Sequence, residues 1–143
     1  MCMHKAITKE SNPREFGKRL KKLERWGDGF LVWKVVSWNY KTKNLIGPFR
    51  WVGYERGPNT AEGNFFVDDI GRVFGGVFHC KTTKEAGRRY KNATNCLIGV
   101  IVDEKDILCF GLHDEIGVRK MTIHPETYDT ALKQLNGFWK KQR

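Results

Sequence analysis

The chain has 143 residues, 40% of them hydrophobic and 13% aromatic, which excludes a disordered tail and suffices for one domain with a real core. Its 26 Lys and Arg stand against 16 Asp and Glu, a net charge of +10 that attracts polyanions and leaves the fold unspecified. The longest apolar run, Cys96 to Val102, is too short to span a bilayer, and the opening MCMHKAITKESN lacks the apolar stretch of a secretory signal, so a cytoplasmic setting with free thiols is expected.

Residues 1–12 read as a flexible N-terminus, and a helix is expected from Pro13 to Trp26. Asn12 can cap it, Pro13 suits the first helical position and Glu15 the third. Phe16, Leu20 and Leu23 fall on one face, Lys18, Lys21, Lys22 and Arg25 lie on the rest, and Gly27 to Gly29 stop the helix. The β-branched and aromatic run FLVWKVVSWNY, residues 30–40, reads as a strand, turned by Lys41 to Asn44. PFRWVGY, residues 48–54, reads as a second strand with Pro48 at its start, and ERGPNTAEGN as a loop. FFV, the turn DDIG and RVFGGVFHC suggest a hairpin ending at Cys80. Thr82 with Glu85 three residues on opens a helix reaching about Asn92. CLIGVIV, ILCFGL and VRKMTI read as three further strands, the first buried and central. Pro125 opens a last helix whose Tyr128, Ala131 or Leu132, Leu135 and Phe138 or Trp139 make an apolar stripe. The expected architecture is a single α+β domain over residues 1–143. It has a mainly antiparallel or mixed sheet of about six strands, with N-terminal, central and C-terminal helices.

Charge is uneven along these elements. Residues 1–29 hold eight Lys and Arg against four acids, and residues 81–102 hold five against one. The cations Lys18, Lys21, Lys22, Arg25, Lys81, Lys84, Arg88, Arg89 and Lys91 are therefore the candidate binding residues for a phosphate-bearing or acidic partner. Trp33, Trp38, Tyr40 and Trp51 are interleaved with basic residues, an arrangement that suits stacked bases and equally suits a core between sheet and helices.

His79 and Cys80 are adjacent in a strand, so their side chains point to opposite faces and cannot form a dyad with each other. His113, Asp114, Glu115 and Arg119 cluster around a turn and read best as a polar hairpin tip. Gly117 is the residue expected to take positive φ there, with Arg119 reaching an acidic partner such as Glu115. The four cysteines form no CxxC, no metal site is expected, and no phosphate-loop or dinucleotide fingerprint is present, so no cofactor is expected. If the chain is an enzyme, its candidates are His79, Glu115 and Arg119, provided the fold brings them to one pocket.

Three segments carry a family likeness: Tyr54 to Glu62 (YERGPNTAE), Gly76 to Ala86 (GVFHCKTTKEA), and Glu115, Gly117, Arg119 and Pro125 in the pattern ExGxRxxxxxP. They resemble a small uncharacterised domain of phages and actinomycetes, which shows a Trp-rich opening strand, a PGxNxA-like loop and a GxHxFxxxxxA strand–helix junction. The likeness covers roughly residues 33–125 and departs at Cys80, where a small residue is common. It implies a phage or mobile-element origin and a shared fold, without an activity. The expected function is a small basic non-enzymatic binding protein. Its partner would be nucleic acid, a nucleotide or a nucleic-acid-handling host complex, host defence included. The alternatives are a small enzyme acting on a nucleotide or nucleotide-modified target around His79, and a purely structural interaction module.

Overall fold

A computed structural model describes residues 3, 5–48 and 52–142, the side chains of residues 139, 141 and 142 excepted. From the N-terminus run α1 (Pro13–Lys21), β1 (Glu24–Trp26), β2 (Gly29–Asn39), β3 (Asn44–Ile46), β4 (Gly57–Thr60), β5 (Phe66–Val67), β6 (Val73–Phe74) and β7 (Phe78–Lys81). Then come α2 (Lys84–Tyr90), β8 (Cys96–Val102), a 3-10 turn at Glu104–Asp106, β9 (Ile107–Phe110), β10 (Glu115–Val118), β11 (Lys120–Ile123) and α3 (Pro125–Gln142). One sheet has the order β4-β11-β8-β2-β7-β10-β9, with β1 and β3 also paired to β2, and β5–β6 form a separate ribbon. Every pairing among these strands is antiparallel. The class is α+β with three helices, as expected, but the main sheet has nine strands rather than about six.

The extra strands have local causes. Helix α1 begins as read, with Asn12 Oδ1 accepting from the Glu15 N–H at 3.2 Å, but it stops at Lys21. Glu24 to Trp26 instead pair with Gly29 to Leu31 across the two-residue turn Gly27-Asp28, made possible by Gly27 at φ 59. Strand β4 runs through Pro58, which an edge strand tolerates because no ladder hydrogen bond is asked of its missing N–H. RVFGGVFHC breaks at Gly75 and Gly76, both at positive φ. A Cβ on Gly75 would stand 2.1 Å from the Asn64 carbonyl oxygen, so only glycine allows β6 to close the ribbon and β7 to enter the main sheet. The expected strand at residues 48–54 lies partly outside the described residues, and Trp51 with it; Gly53 makes an isolated bridge to Ile46. The helix after β7 is capped by Thr83, not Thr82, through Thr83 Oγ1 and the Ala86 N–H at 3.1 Å.

VRKMTI divides at Arg119: β10 pairs with β7 and β9, whereas β11 pairs with β8 and β4 on the other side of the sheet. Gly117 does not make the turn before β10. His113 and Asp114 do, at φ 55 and 62, and Gly117 lies within β10. Its lack of a side chain matters for packing, since a Cβ there would stand 2.5 Å from Cys109 Sγ and 2.7 Å from Val77 Cγ2.

Two described residues before α1, Met3 and Ile7, are packed or paired. Met3 is fully buried beside Val73, Val77 and Cys109, and Ile7 exchanges backbone hydrogen bonds with Phe110 at 2.8 and 3.0 Å. The apolar side chain at position 3 and a free β9 edge explain this better than the polar composition around them.

Register fixes the two faces of the sheet. Trp33 pairs with Lys81, Lys81 with Glu115 and Trp33 with Gly99, so these side chains and Leu97 share one face. Val32, Lys34, Val36, Cys80, Ile98, Val100 and Ile116 take the other, which holds the main core with Tyr128, Ala131 and Leu135 of α3. Phe16 of α1 meets Phe110 edge-on at 5.1 Å on this core face, while Gly87 of α2 sits against Leu97 on the opposite one.

Candidate functional site

Strands β2 and β7 are neighbours joined by a single register pair, Trp33 with Lys81. Beyond it the strands part, and the gap opens a cavity of about 530 Å³, within the usual range for small-molecule sites. Lys34, Phe78 and Cys80 line it from the core face. Trp33, His79, Lys81 and Glu115 line it from the other, with Tyr90 of α2 above them. Val35, Pro48, Val52, Tyr54 and Val77 add apolar wall.

Lys34 is the centre of this site. It is 8% exposed and the one buried charged residue among those described. Its amino group donates to the His79 carbonyl oxygen at 2.6 Å, bridging the place where the ladder has opened, and lies 5.8 Å from the centre of the Tyr54 ring. Lys34 makes none of the ion pairs found among the described residues. A buried charge without a fixed counter-ion is costly, and here it faces a cavity that an anion can enter.

The surrounding groups are held in place. Burial raises the pKa of the Tyr90 phenol, the positive charge of Lys34 pulls it back, and Glu115 pushes it further up. The phenol is thus a proton donor at neutral pH, within electrostatic reach of both. Lys81 Nζ stands 4.6 Å from the Tyr90 ring centre at the cavity wall, and Lys84 Nζ, outside the cavity, 5.2 Å from that of Trp33. Tyr54 meets Phe78 edge-on at 5.9 Å and its carbonyl accepts from Tyr128 Oη at 3.1 Å. Buried Asn59 shapes the rim loop, accepting from the Glu55 N–H and donating to the carbonyls of Glu55 and Gly57 at 2.8, 2.9 and 3.1 Å. Burial pushes the Cys80 thiol up to about 11 against the pull of Lys34, so Cys80 is wall and not nucleophile.

His79 and Glu115 therefore line the same cavity, as an enzymatic reading requires. Arg119 does not line it. Its guanidinium packs 3.2 Å from where a Cβ on the lining residue Gly76 would stand, and it makes no ion pair with Glu115. Of the basic candidates, Lys81 lines the cavity, and Lys84, Arg88 and Lys91 line a separate groove. Arg89 faces Asp114 at 3.9 Å. Lys18, Lys21 and Lys22 are exposed on or next to α1, and the Arg25 guanidinium lies 5.1 Å from the Phe30 ring centre. Since α1 and α2 pack on opposite faces, their cations do not form one continuous surface. His113 and Asp114 are an exposed hairpin tip, and no cluster of metal-ligating side chains occurs among the described residues.

Sequence reasoning missed Lys34, Tyr54 and Tyr90. The signal for Lys34 was present: Phe30, Val32, Lys34, Val36 and Trp38 alternate along one strand, so the lysine falls in phase with the buried set. No known protein family, curated protein or solved structure matches the chain.

Proposed function

We propose that this protein binds a nucleotide-sized anion in the cavity between β2 and β7, with Lys34 as its charge anchor. The observation that carries the reading is Lys34 itself: a buried cation, without an ion-pair partner among the described residues, lining a cavity of about 530 Å³. Lys81 and the Tyr90 phenol add donors for phosphate oxygens, and Tyr54, Val35 and Val77 offer apolar wall to a base. Glu115 suits a sugar hydroxyl or a base N–H. A phage or mobile-element setting, implied by the family likeness, would make the ligand a host nucleotide or a nucleotide-bearing host component.

A thermal-shift panel of mononucleotides and the matching nucleosides tests this. At one hundred times the dissociation constant, a ligand specific to the native state adds about 2.7 kcal/mol, so at least one nucleotide should raise the melting temperature by several degrees and its nucleoside should not. A panel without any shift, or equal shifts for nucleotides and nucleosides, contradicts the reading. One observation favours a reaction as a second reading: His79 and Glu115 line this cavity and are fit for proton transfer. In that case Glu115→Gln retains nucleotide binding within a few fold and loses turnover.

A further inference from the structure

A second, independent feature lies on α2. Lys84, Arg88 and Lys91 recur at i, i+4 and i+7, one stripe of the helix and its C-cap. The stripe lines a shallow groove of about 400 Å³ completed by Asn95, Gln134 and Phe138, where α2, the start of β8 and the end of α3 converge. None of the three cations makes an ion pair among the described residues, whereas Arg89, one position on, faces Asp114 at 3.9 Å outside the groove. All three are exposed.

We infer that this groove is a docking surface for the phosphate backbone of nucleic acid. Three cations on one face, without acidic partners among the described residues and beside two side-chain amides, complement a row of phosphodiesters. Arginine grips oxygen pairs through its planar fork, and lysine acts as a point charge. The groove is shallow and its described lining offers one aromatic ring, Phe138, which suits tracking of the backbone. Lys34 is not part of it, and the inference stands apart from the cavity's ligand.

The test is binding of a labelled random-sequence DNA duplex to the full chain over a salt series. Three phosphate contacts predict a slope of log K against log salt of about −2.7 from this groove. Lys91→Gln should reduce the slope by about 0.9, and the triple variant Lys84→Gln/Arg88→Gln/Lys91→Gln should lose at least tenfold in affinity at low salt. Arg89→Gln and Lys34→Met should bind DNA as the wild type does. Circular dichroism of each variant checks that it is folded. Absence of wild-type binding at low salt, a salt-independent affinity, or a folded triple variant that binds normally overturns the inference, as does binding only to an acidic protein.

Discussion

Replacing Lys34 by methionine separates the two roles a buried lysine can have. The substitution keeps an unbranched side chain against Val32 and Val36 and removes the charge. It deletes one charge-assisted hydrogen bond, the 2.6 Å contact to the His79 carbonyl, worth about 1.5–3 kcal/mol. It also removes the desolvation penalty of a buried ion, an effective several kcal/mol. The freed carbonyl borders a cavity that admits water, so its own penalty is small. The net expectation is a chain as stable as the wild type or more stable by about 2 kcal/mol, with nucleotide affinity at least tenfold lower. Urea denaturation and nucleotide titration of both proteins read the two quantities separately. A destabilisation of about 3–5 kcal/mol, the range for breaking a buried ionic contact, would mean that Lys34 rivets β2 to β7, and the argument from its cost would fail.

Further outcomes follow from packing and titration. Gly117→Ala places a Cβ within 2.7 Å of both Cys109 Sγ and Val77 Cγ2 and should cost about 1–3 kcal/mol in a denaturant titration, although its backbone is ordinary strand. Phe16→Ala should cost about 3–5 kcal/mol, and Leu20→Ala, at a half-buried position, less than about 2 kcal/mol; the reverse order would show that α1 packs on another face. Burial lifts Cys80 from 9.0 to about 11 and Cys109 to about 12. The fold thus favours the protonated thiols, so this stability is fully present below pH 9 and lost as pH rises toward 11 and 12. The loss from Cys80 alone is about 3 kcal/mol. Urea midpoints under reducing conditions at pH 8 and 11 check this, and Cys80→Ala should show a smaller fall than the wild type.

Long periodic segments were legible from residues alone. The β-branched run of β2, the apolar β8 and the Tyr128, Ala131, Leu135 stripe of α3 each state their period over several residues. Short strands did not, because β1, β3 and β4 are three or four residues long, too short to state a period, and β4 forms through a partner, β11, distant in sequence. Gly117 does not take the positive φ expected of it; what constrains it is side-chain contact across the sheet, which no local turn rule contains. The docking of Met3 depends on an open edge at β9, equally invisible locally. The cavity was half legible. His79 and Glu115 stood out by residue type, whereas Lys34 needed the strand's phase and the separation of β2 from β7, a tertiary fact.

The most direct measurement is a calorimetric cycle: one mononucleotide and its nucleoside, each titrated into the wild type and Lys34→Met. A phosphate anchor at Lys34 predicts that the nucleotide binds the wild type at least tenfold more tightly than the nucleoside. It predicts that Lys34→Met removes most of this difference, a coupling of about 1.5–3 kcal/mol for a hydrogen bond to a charged group. Equal preference for the phosphate in both proteins would contradict it.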